Sequence, residues 1–231
     1  MLKADFHVHT ALSKHHLLSK FGLADGLNSP DEMVKSAADK GLDCIAIAEH
    51  NVLFDSKLAK RLTEEYGVVV IPGVEFRFDN RKEAIAIGIK RLPEVSSLAE
   101  FKEDVSRQGG ILIAPHPYDP LNRGFKDFEL FDAIEVVNAF GPRGFKKLVK
   151  EAESLDKAKV CGSDAHYTSH LGYTHCLVDA APDQQSILEA IRKGRVEPVY
   201  GRIPIHVQLG YYIQKYLLGK AVFKSNHKIF K

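Results

Sequence analysis

The stretch that decides the fold covers residues 29–51 and reads SPDEMVKSAADKGLDCIAIAEHN. Its first part predicts a helix, because Ser29 can cap the N-terminus, a proline and two acids fill the first turn, and Gly41 can end the helix. Its second part, DCIAIA, is a short apolar run that predicts a buried strand. Glu49 and His50 follow this run, so the predicted strand ends in two side chains that can bind metal ions.

The same alternation of helix and strand extends along most of the chain. Strands are expected at 4–8, 43–48, 68–72, 84–89, 110–114, 133–138, 159–162 and 174–179, and helices at 29–41, 55–67, 97–110, 145–157 and 183–194. This alternation predicts an α/β fold with a parallel sheet and helical crossovers, and seven or eight such units fit a (β/α) barrel. We expect a barrel domain at residues 1–203 and a basic, helical tail at residues 204–231.

The composition is that of an ordinary globular protein, with 45% apolar and 27% charged residues. No apolar run reaches the ~18 residues of a transmembrane helix, and the first residues lack the pattern of a signal peptide. Cys44, Cys161 and Cys176 lie far apart in apolar runs. We therefore expect a cytoplasmic protein with buried thiols and without a disulfide framework.

The charge is unevenly spread, because the residues after Glu197 include six cations and no acid. Such a basic tail could contact nucleic acid or another anionic surface, such as lipid headgroups. The alternative is a C-terminal helix that packs on the body and leaves its lysines in water.

Five predicted strands are each followed at once by histidine, aspartate or glutamate. These residues are His7 and His9, Glu49 and His50, Glu75, His116, and Asp164 and His166. In a parallel barrel the C-terminal ends of the strands meet at one rim, and this rim is where the active site forms. One or two polar residues at strand ends would be ordinary, but five strand ends predict a cluster of ligands.

Nitrogen and carboxylate ligands without thiolates suit zinc, manganese or iron. Seven or eight ligands exceed the needs of one ion, so we expect two or three divalent ions, with Glu75 able to bridge two of them. Such a cluster can turn bound water into hydroxide and can hold the attacking and leaving oxygens of a displacement at phosphorus. The predicted chemistry is hydrolysis of a phosphate ester.

The chain resembles the polymerase and histidinol phosphatase (PHP) superfamily of metal-dependent phosphoesterases. The matching motifs are DFHVHT, SPDEMVKSAADKGLDCIAIAEHN, IPGVEF, APHPYDP, DAIEVVNAF and CGSDAH, in the family's order. The resemblance implies a distorted, TIM-like (β/α)7 barrel with its metal site at the C-terminal rim of the strands. It implies one ion on His7, His9, Glu75 and Asp164, a second on His50 and His166, and a third on His116, with Glu75 as the bridge.

Two positions depart from the family pattern. Relatives carry an aspartate ligand soon after H-x-H, where this chain has Lys14. His15 and Asp25 are the alternatives, and we favour His15. Relatives also carry a histidine about eight residues after the bridging glutamate, where this chain has Glu83. Glu83 could still bind an ion, or the third site could be weak or empty, so two ions and three remain alternatives.

Three arginines, Arg77, Arg123 and Arg143, follow the predicted strands and could bind phosphate through their planar guanidinium groups. The residues expected in catalysis are His50, Glu75, Asp164 and His166. We predict a metal-dependent phosphomonoesterase or small phosphodiesterase that acts on a small phosphorylated substrate. The alternatives are a nuclease or proofreading activity on nucleic acid, and a non-catalytic barrel that binds RNA.

Overall fold

The computed structural model describes residues 1–13, 26–119, 121, 123–139 and 145–214. The strands are β1 (Leu2–Val8), β2 (Cys44–His50), β3 (Val69–Arg77), β4 (Glu83–Ile87), β5 (Ile111–Ala114), β6 (Ala133–Asn138), β7 (Ala158–Gly162), β8 (His175–Val178) and β9 (Val196–Val199). The helices are α1 (Pro30–Asp39), α2 (Ser56–Tyr66), α3 (Leu98–Arg107), α4 (Phe145–Ser154), α5 (Gln184–Arg192) and α6 (205–214), with a 3₁₀ turn at Thr168–His170. No helix within these ranges is long and apolar enough to cross a membrane.

Helix α1 begins at the cap that the sequence predicts. Ser29 accepts a hydrogen bond from the backbone N–H of Glu32, and the Glu32 side chain reaches back to the backbone of Ser29. This capping box satisfies two N–H groups that a helix start otherwise leaves unpaired. Gly67 ends α2 with a φ of 70°, a left-handed conformation that glycine adopts without steric cost.

The strands form one sheet in the order β7-β6-β5-β4-β3-β2-β1-β8-β9. Four neighbouring pairs are parallel, namely β1–β2, β2–β3, β5–β6 and β6–β7. The other four pairs, β3–β4, β4–β5, β1–β8 and β8–β9, are antiparallel. The expected parallel pairing is therefore found in four of the eight strand pairs of the described residues. The described strands also number nine, because β9, a short run that contains a proline, was not predicted.

The reversal of β4 has a simple cause. Only residues 78–82 connect β3 to β4, and a parallel connection needs a crossover of a dozen or more residues. A hairpin is the arrangement that so short a turn allows. The first residue of β4, Glu83, therefore pairs with the last residue of β3, Arg77. As a consequence, β4 begins at the same rim at which β3 ends.

The sheet curls until β7 contacts β1 and β9, so the barrel is nearly closed. An isolated parallel bridge joins Val8 to Ala165, and the backbone N–H of His9 donates to the carbonyl of Ala165 at 2.8 Å. The predicted α/β, barrel-like fold is confirmed.

Two groups of buried apolar side chains stabilise this fold. The larger spans β1 to β9 and includes Phe6, Ile87 and Phe101. The smaller lies under α1 and α2 and includes Met33 and Leu62. Complete burial of side chains of this size contributes about 1.5–3 kcal/mol each. The three cysteines are also buried, as the sequence predicts.

Candidate metal centre

The end of β1 places two imidazoles side by side. His7 lies in the strand and His9 follows it, and their Nε2 atoms are 3.1 Å apart. Both side chains are buried. The spacing of two residues therefore aims both rings at one point, as expected for one face of a strand.

Glu75, near the end of β3, lies between four imidazoles. Its Oε1 is 2.8 Å from Nε2 of His116, and its Oε2 is 2.7 Å from Nδ1 of His50. Oε1 also lies 3.6 Å from Nε2 of His7, and Oε2 lies 3.6 Å from Nε2 of His9. A carboxylate in this position can donate one oxygen to each of two neighbouring ions.

Asp164 faces the same point from the loop after β7. Its Oδ1 is 3.3 Å from Nε2 of His9 and 3.5 Å from Nε2 of His7. The ring of His166 lies 4.4 Å from that of His9, centroid to centroid. Asp164 has a φ of 53° and His116 a φ of 29°. Positive φ is uncommon outside glycine and concentrates at functional sites, where a tight turn aims a side chain inward.

The donor atoms of these residues fall into four overlapping groups whose members lie within 4.8 Å of one another. The groups are His7–His9–Glu75, His9–His50–His166, His7–His116–Asp164 and His50–Glu75–Glu83. Imidazole nitrogens and carboxylate oxygens without thiolates match the preferences of zinc, manganese and iron. The groups share His7, His9, His50 and Glu75, so all of these donors belong to one continuous cluster.

Glu83 reaches this cluster because β4 runs in the reverse direction. Its Oε1 accepts hydrogen bonds from Nε and Nη2 of Arg77 at 2.8 and 2.5 Å. Its Oε2 is buried, has no hydrogen-bond partner among the described residues, and lies 3.6 Å from Nε2 of His116. A buried oxygen without a donor is costly unless a cation contacts it. Nη1 of Arg123, at 3.7 Å, brings a positive charge near this oxygen.

Three predicted site residues cannot be compared with the cluster, and a fourth residue, a predicted strand-end acid, has a different partner. His15, Asp25 and Arg143 fall outside the described residues. Glu49, which ends the same strand as His50, accepts hydrogen bonds from the backbone N–H of Thr10 at 3.2 Å.

The two described arginines both lie at the rim and both contact carboxylates. Arg77 pairs with Glu83 as described above. Arg123 donates from Nε and Nη2 to the two oxygens of Asp119, each at 3.0 Å, and its Nη1 lies 3.7 Å from Oε2 of Glu83. Both guanidinium groups are partly exposed, so each retains a face toward solvent.

The carboxylates dominate the electrostatics of the cluster. Burial acts to lower the pKa of His7, but Asp164, Glu135 and Glu75 outweigh it and raise this pKa to about 10. Burial acts to raise the pKa of Asp164, but His7, a hydrogen bond from His9 and other imidazoles hold it well below its ordinary value. Negative charge is therefore concentrated in a buried place, where a divalent cation is the natural counterion.

Glu135 in β6 is the main site residue that sequence reasoning missed. Its Oε1 accepts a hydrogen bond from Nδ1 of His7 at 2.9 Å. Its Oε2 accepts from the backbone N–H of His116 at 2.6 Å and from Nδ2 of Asn138 at 3.1 Å. A proton fixed on Nδ1 leaves Nε2 of His7 free to donate its lone pair. The available signal was an acid inside an otherwise apolar strand, since buried glutamates are almost always paired.

Tyr211 is a second residue without a sequence signal. It lies in α6 and is buried against the loop after β7. Its ring centroid is 4.9 Å from that of His170 and 6.2 Å from that of His166. Helix α6 therefore places an aromatic ring beside His166, one of the candidate ligands.

Comparison with known proteins finds a matching family and relatives of similar sequence. The family model described as PHP domain matches residues 5–186. An uncharacterised protein of Methanocaldococcus jannaschii is 34% identical over 160 residues, which cover 65% of this chain and 93% of that protein.

Among solved structures, a two-domain protein of Bacteroides vulgatus that contains a predicted PHP-like metal-dependent phosphoesterase superposes with a TM-score of 0.68 at 22% identity. The alignment covers 87% of this chain and 65% of that one, so this chain spans slightly less than two thirds of that protein. The lesion-specific endonuclease Q of Pyrococcus furiosus superposes with a TM-score of 0.58 at 16% identity, over 85% of this chain and 57% of that one. At these identities the likeness to both structures is one of fold.

Proposed function

Since the chain belongs to the PHP domain family, we propose that it is a metal-dependent hydrolase of phosphate esters. The observation that carries this proposal is the convergence of His7, His9, Glu75 and Asp164 within one buried cluster. These donors come from three separate strand ends, and together they form a site that small divalent cations fit.

The proposed ligand sets are those that the family resemblance implies, with Glu83 added beside His116. His7, His9, Glu75 and Asp164 would hold one ion, His50 and His166 a second, and His116 with Glu83 a third, with Glu75 shared. When bound, such ions lower the pKa of water and stabilise negative charge on phosphoryl oxygens. Zinc, manganese and iron all match these donors.

The chain's own residues set the direction from which substrate approaches. Asp164 and His166 are 16% and 13% exposed, whereas His7, His9 and Glu75 are at most 1% exposed. The open side of the cluster is therefore the side of the loop after β7. We assign proton transfer at the reacting oxygens to Asp164 and His166 on this side, with His50 and Glu75 behind them.

Arg123 and Arg77 would neutralise the phosphate. Both are at the rim and partly exposed, and both are already held in place by carboxylates. A held guanidinium loses little entropy when it binds an oxyanion. A small phosphomonoester or phosphodiester in the cytoplasm is the substrate class that we propose.

A nuclease is the second candidate, and two observations favour it. The fold is shared with endonuclease Q, which has also been solved with a 27-mer duplex that carries an abasic lesion at its active site. The six cations after Glu197 could contact a phosphate backbone. A barrel that binds RNA without cleaving it would use the same cations.

One experiment separates these functions. The purified chain would be stripped with a chelator, reloaded with zinc, manganese or iron, and assayed on small phosphomonoesters, small phosphodiesters, and duplex DNA with and without an abasic site. Bound metal would be counted by plasma mass spectrometry, beside a His7→Ala, His9→Ala double variant.

The proposal is supported if the wild type binds two to three ions, the variant loses them, and the wild type hydrolyses small esters. Turnover of DNA alone favours the nuclease. Fewer than one ion, unchanged in the variant, overturns both.

A further inference from the structure

Two of the three cysteines lie in contact. The Sγ atoms of Cys161 in β7 and Cys176 in β8 are 3.0 Å apart, and the backbone N–H of Cys161 points at the Cys176 sulfur at 3.1 Å. Both side chains have no exposed surface. Cys44 is equally buried, but no sulfur contact joins it to either of them among the described residues.

The position of this pair in the barrel is unusual. β7 is one edge of the sheet, and β8 lies next to the opposite edge. No ladder of backbone hydrogen bonds joins β7 to β8 or β9 within the described part of the chain. The two thiols therefore meet across the gap between β7 and β8, where no strand pairing closes the barrel. We call this gap the barrel seam.

The pair also lies at the base of a functional loop. Cys161 and Cys176 are 15 positions apart, and the chain between them carries Asp164 and His166. A covalent bond here would tie together the two ends of the loop that supplies these candidate ligands.

We propose that Cys161 and Cys176 are a disulfide site that covalently closes the barrel seam. The inference stands on the cysteine geometry and goes beyond the proposed hydrolase function. It holds whether or not the chain hydrolyses phosphate esters.

The chemistry requires an electron acceptor, for which a small disulfide such as oxidised glutathione suffices. The thiolate of one cysteine attacks that disulfide, forms a mixed disulfide and releases one small thiol. The second cysteine then displaces the other small thiol and leaves the Cys161–Cys176 bond. Two protein thiols thereby lose two protons and two electrons, and one small disulfide becomes two small thiols.

Burial determines when this exchange occurs. The pKa of the Cys161 thiol is raised well above its ordinary value, first by burial and then by the neighbouring Cys176. In the closed barrel the reactive thiolate is therefore scarce and shielded. The bond forms while the barrel folds, and once formed it is protected from reductants.

Refolding tests the proposal. The full chain is unfolded in denaturant with reductant, then refolded in a glutathione redox buffer, and free thiols are alkylated under denaturing conditions. We expect a loss of about 2 Da before alkylation, one alkylated cysteine of the three, and a linked pair of peptides that contain residues 161 and 176. Closure of a loop of this length should raise the melting temperature of the oxidised chain by about 6–12 °C over the reduced chain.

Three variants make the test decisive. Cys44→Ala is the matched control, because it removes an equally buried cysteine and should leave the mass loss and the thermal shift unchanged. Cys161→Ala and Cys176→Ala should each abolish both. Three alkylated cysteines in the refolded wild type, a stable glutathione adduct, or a linkage that includes Cys44 would each overturn the proposal.

Discussion

Glu135 and His7, 128 positions apart in the chain, form the hydrogen bond that orients a buried imidazole of the cluster, with Oε1 of Glu135 2.9 Å from Nδ1 of His7. The same carboxylate holds the backbone of His116 through its other oxygen. One buried acid thus fixes two of the candidate ligands without facing the ions itself.

Replacement of Glu135 by Gln should therefore weaken metal binding about 10–100-fold, the usual cost of losing a carboxylate behind a ligating histidine. Competition with a chromophoric chelator measures this affinity. Glu129→Gln is the control, because Glu129 is exposed. Equal affinities of the two variants would mean that Glu135 does not support the site.

Replacement of Asp164 by Asn should leave the fold intact but reduce metal binding and hydrolysis. Asparagine tolerates the left-handed φ of 53° at this position, but it removes a negative charge that an ion would need. We expect loss of bound metal and a fall of about 100-fold or more in ester hydrolysis, with a circular dichroism spectrum close to that of the wild type. Asp127→Asn, at an exposed position, should change neither. Full activity in Asp164→Asn would remove Asp164 from the ligand set.

Glu83→Gln tests the third ion. The glutamine can still accept a hydrogen bond from Arg77, but it offers no anionic oxygen toward His116. We expect one bound ion fewer per chain by plasma mass spectrometry. The control is Asp79→Asn in the exposed turn between β3 and β4. An unchanged ion count would show that Glu83 only anchors Arg77.

Gly162→Ala should disrupt the cluster by steric overlap alone. A Cβ on Gly162 would overlap the Cβ of His7 and the carboxylate of Glu135. We expect a loss of about 1–3 kcal/mol in the free energy of unfolding and weaker metal binding. Gly210→Ala in α6 is the control, since a Cβ there has no neighbour within 4 Å. Chemical denaturation of both variants provides the comparison, and an unaffected Gly162→Ala protein would contradict the close approach.

Asp104 gives a prediction for stability against pH. Burial acts to raise its pKa, but hydrogen bonds and charge from Arg91, Gln108 and Arg107 lower the pKa below the ordinary value of 3.8. A depressed folded-state pKa contributes stability above that ordinary value, and this stability is lost as the pH falls through the folded-state pKa. Asp104→Asn should therefore melt below the wild type at pH 7 and pH 5, with the difference shrinking below pH 3.8. A difference independent of pH would exclude the charge as its cause.

The sequence predicts much of this molecule because its signals are local. Apolar runs bounded by turns mark β1 to β8, and side-chain caps such as Ser29 mark the helices. The antiparallel direction of β4 follows from the short turn before it. Strand propensity predicts that β4 is a strand but does not predict its direction. β9 is short, partly exposed and contains Pro198, so it lacks an apolar run.

The same distinction between local and long-range signals applies to the residues of the site. Strand-end residues such as His7 and His116 are visible because the barrel brings strand ends together. The partnership of Glu135 with His7 depends on which distant side chains meet across the interior, and no spacing encodes that. Tyr211 reaches His170 only because α6 folds back over the rim.

The hairpin between β3 and β4 also matters for engineering. Residues 78–82 form a five-residue turn whose two flanking positions are Arg77 and Glu83. Length added at the exposed tip would project over the mouth of the barrel, whereas the strand pairs below it would keep their register. This turn is therefore the place to graft sequence when the aim is to change which molecules can reach the cluster, without redesigning the side chains that form it.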